Sequence, residues 1–96
     1  MTYPTLKQQR VVIIGGSSGI GFAAAQQAKE LGADVVLAGR SSSKLEEARN
    51  RLGNAGVEIH SLNNRNNEEL IAFFEAIGSF DHLFTPGASY VRGPVT

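Results

Sequence analysis

Hydrophobic positions along the chain switch repeatedly between two spacings. Val11-Val12-Ile13-Ile14, entered from Arg10, is a continuous β-branched run, and such a run predicts a strand covered on both faces. From Gly19 the apolar residues Ile20, Ala24, Ala28 and Leu31 recur at helical spacing, with Gln26, Gln27, Lys29 and Glu30 outward and Gly32 as a stop. Ala33 to Ala38 is a second buried strand, ending at Gly39-Arg40. Ser41-Ser42-Ser43 opens the next helix, where Ser43 and Glu46 have the spacing of a reciprocal cap. Leu45, Ala48 and Leu52 are its apolar stripe, and Gly53 with Gly56 closes it. Val57 to Leu62 alternates imperfectly and fits a short third strand. The polar loop Asn63 to Asn67 leads into a third helix, Glu68 to Ile77, with Leu70, Phe73, Phe74 and Ile77 inward. Phe80 to Thr85 is the fourth strand, stopped by Pro86-Gly87. Met1 to Gln9 reads as a polar lead-in, and Ala88 to Thr96 has no strong pattern.

The order β-α-β-α-β-α-β predicts an α/β doubly wound sheet, four parallel strands joined by three right-handed helical crossovers. Turning back at the first strand gives the strand order 3-2-1-4. Two helices then cover one face and the third covers the other alone. Strand four is expected to be an open edge, with Leu83 and Phe84 poorly covered. Such an edge invites self-association or docking of a missing second half. Ligands of such sheets bind outside the carboxyl ends of the strands, where the order reverses between strands one and four.

Bulk properties narrow the partners. The 96 residues make one small domain, and 42% hydrophobic with 19% charged residues is ordinary for a soluble chain. Nine basic residues balance nine acidic ones, so nothing marks the chain for nucleic acid or anionic lipid. Cysteine is absent, which excludes disulfides and thiolate chemistry. No apolar run approaches the roughly 20 residues of a membrane span. The expected location is the cytoplasm.

The chemistry concentrates where the first strand ends. Gly15-Gly16-Ser17-Ser18-Gly19-Ile20-Gly21 joins that strand directly to a helix. Strand, glycine turn and helix together aim backbone N–H groups and a positive helix end at an anion. Gly15 turns the chain tightly, Gly19 leaves room for a phosphate, and Gly21 lets the helix pack close to the strand. A dinucleotide is the expected ligand. NAD sites of this kind carry an acidic residue about 20 positions beyond the glycines, on the ribose 2′-hydroxyl. Here those positions are Ala38 and Gly39, followed by Arg40. An arginine pairs with a 2′-phosphate and Ser41 can donate another hydrogen bond, so NADP(H) is favoured over NAD(H). His60, His82 and Asp81 read as structural, Glu46-Glu47 and Glu68-Glu69 as solvated faces, and Tyr90 as a poor acid. No acid, base or nucleophile is assigned.

With the glycine turn, the Ala38-Gly39-Arg40 ending of strand two and Phe80 to Ser89 in place, the chain resembles the short-chain dehydrogenase/reductase family over about Arg10 to Ser89. The resemblance implies the first part of a Rossmann fold and hydride transfer between NAD(P) and an alcohol or carbonyl. It implies that Ser17, Ser18 and Ile20 contact the phosphates and Arg40 the 2′-phosphate. It sets Asn63 where the family has an aspartate near the adenine, able to bond the adenine amino group through its carbonyl oxygen. Thr85-Pro86-Gly87-Ala88 stands where the family has Asn-Asn-Ala-Gly, which makes Gly87 a cofactor neighbour, and Ile14 replaces a threonine. The family's catalytic serine and Tyr-x-x-x-Lys pair lie in a second half that nothing here matches. The chain is therefore expected to be the cofactor-binding piece of a longer enzyme and inactive alone. The alternative is a non-catalytic module that binds a dinucleotide or pairs through strand four.

Overall fold

The computed structural model describes residues 8–15, 19–63 and 65–85. Strands β1 (Arg10–Ile14), β2 (Asp34–Gly39), β3 (Val57–Ser61) and β4 (His82–Phe84) form one parallel sheet in the order β3-β2-β1-β4. Helices α1 (Gly19–Glu30), α2 (Ser42–Leu52) and α3 (Asn67–Ile77) make the crossovers. The doubly wound arrangement and the 3-2-1-4 order are those the sequence predicts.

Side-chain parity divides the core in two. After the charged first residues Arg10 and Asp34, every position of β1 and β2 is apolar, yet odd and even residues serve different faces. Val11, Ile13, Val35 and Leu37 pack with Ala25 and Ala28 of α1 and Leu45 and Ala48 of α2. Val12, Ile14, Val36 and Ala38 pack with Leu62 and with Phe73 and Ile77 of α3. Register locks the parity, since Val12 pairs with Val36 on one side and Leu83 on the other. Ile13 and Leu37 have no exposed surface, a burial that contributes about 1.5–3 kcal/mol for each such side chain.

The structure corrects two local expectations. The buried stripe of α1 is Gly21, Ala25 and Ala28, whereas Ile20, expected inward, is 67% exposed. α1 follows β1 almost at once and lies close to the sheet, so its contact face takes small side chains. α2 is capped by Ser41 rather than Ser43: Lys44 N–H donates to Ser41 Oγ at 3.3 Å. The helix begins two residues earlier than the Ser43–Glu46 spacing implies.

At the amino end of the sheet Arg10 collects several partners. Its guanidinium donates to the backbone carbonyls of Ile77 and of Ser79, the latter at 3.1 Å, and to Glu58 Oε1 at 2.9 Å. α3 has no basic residue in its last turn, so β1 supplies the cation that its carbonyl end favours. Arg10 N–H donates to Asp81 Oδ2 and Asp81 N–H donates to Arg10 O, both at 2.8 Å, which sets β4 beside β1. Glu58 also bonds the His60 ring at 2.6 Å, and His82 bonds Gln9 at 2.7 Å. Both histidines thus have structural partners.

β4 pairs with β1 alone among the described strands. Leu83 is 48% and Phe84 37% exposed, the thin cover expected of that edge. No described helix is long and apolar enough to cross a membrane.

Candidate functional site

At the carboxyl end of the sheet three strand ends meet three helix starts. Gly15 leaves β1 with φ 90°, a backbone angle that side chains resist. Its N–H still donates to Ala38 O at 2.6 Å, so the turn stays attached to β2. Among the described residues, an added Cβ at Gly19 would meet no atom within 4 Å. Open space therefore lies beside the first turn of α1, where unpaired helix N–H groups and the helix dipole favour an anion. Ile20 is exposed at the same corner, and Gly21 is buried behind it.

β2 delivers Arg40 to this end. Its side chain is exposed, and its carbonyl accepts from Ser61 Oγ at 3.3 Å. Ser41 follows as the cap of α2, with its Oγ 3.2 Å from Ser43 Oγ. Accepting from Lys44 N–H leaves the Ser41 hydroxyl its own proton to donate.

β3 delivers Asn63. Leu62 N–H donates to Gly39 O at 2.7 Å, which binds the end of β3 to the end of β2. Asn63 N–H donates to Glu69 Oε1 at 2.8 Å, and its backbone carbonyl accepts from Asn66 N–H at 3.0 Å. The Asn63 side-chain oxygen, the group expected to meet a base, accepts from Arg65 N–H at 3.0 Å and keeps a second lone pair. Glu69 is accordingly more than a solvated carboxylate. The Asn66–Glu69 spacing, a capping signature, could have shown this in the sequence; Asn66 caps α3 through a 3.1 Å bond from Glu69 N–H.

Charge separates the three corners. Neither α1 nor α2 has an acidic residue in its first turn, whereas α3 has Glu68 and Glu69 there. The positive end of α3 is met by the protein's own carboxylates; those of α1 and α2 remain for an external anion. The arrangement can hold a phosphorylated ligand across β1 and β2. Gly15, Gly19, Ile20, Gly21, Arg40, Ser41 and Asn63 all lie at this end. Ser17, Ser18 and Gly87 lie outside the described residues, as does Tyr90.

A family model described as short chain dehydrogenase matches residues 9–86. The chain is 49% identical over 55 residues to a 3-dehydrosphinganine reductase of Arabidopsis thaliana, a match spanning 56% of this chain and 17% of that enzyme. A crystal structure of a short chain dehydrogenase from Bacillus anthracis superposes with TM-score 0.76 at 33% identity, over 82% of this chain and 35% of the other. The L-sorbose reductase of Gluconobacter frateurii, solved with NADPH and L-sorbose, superposes with TM-score 0.76 at 30% identity, over 83% and 33%. The chain thus spans about a third of the solved relatives it matches.

Proposed function

The chain belongs to the short chain dehydrogenase family, and we propose that residues 1–96 form a dinucleotide-binding domain serving an NADP(H)-dependent oxidoreductase. The observation that carries this reading is Arg40. It is exposed just past the end of β2, beside a helix start without acidic residues, directly after Ala38 and Gly39, the positions where an NAD site would place a carboxylate. Its guanidinium pairs with the 2′-phosphate, and Ser41 donates to the same group. The turn at Gly15 and the open first turn of α1 at Gly19 and Ile20 take the diphosphate, and the resemblance assigns Ser17 and Ser18 to the same contact. Asn63 and Gly87 complete the cofactor neighbours. The L-sorbose reductase relative solved with NADPH supports the choice of cofactor.

Bound NADPH supplies hydride to a carbonyl carbon, and NADP takes it from an alcohol. The proton partners that the resemblance implies, a serine and a Tyr-x-x-x-Lys pair, belong to the family's second half. Tyr3 and Lys7 share that spacing but precede the first strand, with Pro4 between them, and lie outside the described residues. We expect no turnover from these residues alone. A titration with NADPH and NADH, followed by nicotinamide fluorescence, tests the reading. Submicromolar to micromolar affinity is not required: NADPH should bind detectably below about 1 mM and NADH at least tenfold more weakly, an arginine–phosphate pair's usual contribution. No binding at millimolar NADPH would refute it.

A second reading rests on Leu83 and Phe84, which leave the β4 edge apolar and open. In it the domain pairs through that edge with another chain. Sedimentation separates the two, since a strictly monomeric species that binds NADPH leaves no support for the edge reading.

A further inference from the structure

We infer that Ser61 is a positioning residue for Arg40: its hydroxyl holds the backbone from which the arginine reaches a 2′-phosphate, and so supports the preference for NADP(H) without touching the cofactor. This rests on the NADP reading above and extends it from the arginine to the group that aims it.

The chain is fixed on both sides of Arg40. Before it, Gly39 is the last residue of β2, in register with Ser61 of β3, and its carbonyl accepts from Leu62 N–H at 2.7 Å. After it, Ser41 caps α2, its side chain accepting from Lys44 N–H and its backbone carbonyl from Leu45 N–H at 3.0 Å. Arg40 belongs to neither element. A side chain holds its carbonyl instead: Ser61 Oγ donates to Arg40 O at 3.3 Å, across 21 positions of chain.

The direction of that bond decides what Ser61 can do. A carbonyl only accepts, so the serine supplies the proton and has only lone pairs left to offer outward. An ionised phosphate is an acceptor too and gains nothing from them. Any effect of Ser61 on a 2′-phosphate must therefore pass through its neighbours. The carbonyl it holds belongs to the peptide that joins Arg40 to Ser41, the two residues proposed to meet that phosphate. Without the bond this peptide can turn about the Arg40 ψ and Ser41 φ angles, and the root of the exposed arginine turns with it. A guanidinium–phosphate pair depends on orientation, with parallel N–H groups facing two oxygens, and a binding group is placed well only when its support is fixed. NADH lacks the phosphate, so its binding is indifferent to where Arg40 points.

The experiment titrates NADPH and NADH, followed by nicotinamide fluorescence, into the wild type, Ser61→Ala, Ser61→Val and Ser61→Thr. Threonine and valine have nearly the same shape and both suit a strand, but only threonine keeps the hydroxyl. Ser61→Ala and Ser61→Val are expected to weaken NADPH binding about threefold to fivefold, the scale of one neutral hydrogen bond, with NADH binding unchanged. Ser61→Thr should keep the wild-type preference. In an Arg40→Ala background Ser61→Val should weaken NADPH no further, because nothing is left to position. The inference is overturned if NADPH and NADH weaken alike, if neither weakens, if Ser61→Thr behaves as Ser61→Val does, or if Ser61→Val costs as much NADPH affinity without Arg40 as with it. In each of these cases a loss of NADPH affinity from Arg40→Ala alone leaves the NADP reading standing. An Arg40→Ala variant that binds NADPH as tightly as the wild type overturns both. Should Ser61→Ala not fold, the threonine and valine pair decides.

Discussion

At the amino end of the sheet, Arg10 spends its guanidinium on Ile77, Ser79 and Glu58, while its backbone exchanges two bonds with Asp81. At the carboxyl end, Arg40 projects into solvent and the first turns of α1 and α2 carry no compensating carboxylate. The same residue type thus does opposite work at the two ends. Polar groups satisfied within the chain hold helix α3 and edge strand β4 in place. Polar groups left open are those the proposed cofactor would engage. Substitutions at the two ends should therefore separate stability from binding.

The largest effect is expected at the closed end. Arg10→Ala leaves the carbonyl end of α3 without its cation and Glu58 without one partner. It should cost about 2–3 kcal/mol of folding stability, the range for lost hydrogen bonds to a charged group, read as a lower urea midpoint. Below that midpoint NADPH affinity should be unchanged. A loss of affinity in the folded variant would break the division between the ends.

Arg40→Ala is the reciprocal case. NADPH binding should weaken by about 10- to 30-fold, roughly 1.4–2 kcal/mol, with NADH binding and the urea midpoint unmoved. A shift in the midpoint would show that Arg40 also supports the fold. Ser41→Ala tests the one residue expected to serve both purposes. Losing the cap of α2 should cost about 1 kcal/mol of stability, and losing the hydroxyl donor should weaken NADPH binding a few-fold. Ser41→Asp keeps the cap, so it should restore stability while repelling the 2′-phosphate.

These two ends were not equally legible in the sequence. The elements that build the open end could be placed from local signals: Gly15 follows a β-branched run, and Arg40 follows β2 directly. The topology was legible too, since an apolar run at β1 and β2 and helical spacing between them leave few ways to wind a sheet. The closed end was not. Arg10 reaches Ile77 and Glu58 across 67 and 48 positions of chain, and no periodicity announces a contact that far away. Even the missing basic residue at the end of α3 shows only that a cation is wanted, without naming β1 as its source. Ile20 misled for a related reason. Its spacing fits a buried stripe, but the close approach of α1 to the sheet selects Gly21 and Ala25 instead. The turn that Arg65 closes on the Asn63 side chain was not legible, because it depends on where the chain goes after β3.

The smallest expected effect concerns Glu58, which shares the closed end but is half open to water. Its carboxyl is held below the ordinary glutamate value of 4.5, foremost by the hydrogen bond with His60; burial opposes this next, and the weaker hydrogen bond from Arg10 adds to the lowering. A carboxyl that is more acidic in the folded than in the unfolded chain stabilises the fold when ionised. That contribution is complete above about pH 4.5 and is lost as the pH falls through the lower folded value. Solvent screening keeps it to a few tenths of a kcal/mol. Glu58→Gln should therefore lower the urea midpoint slightly at pH 7, and the two proteins should converge as the pH is taken down to 3. Added salt should narrow the gap at pH 7, because a half-exposed pair is screened. A gap that persists unchanged at pH 3 would mean that Glu58 supports Arg10 by packing rather than by charge. The closed end would then owe its hold on α3 to the carbonyl bonds alone.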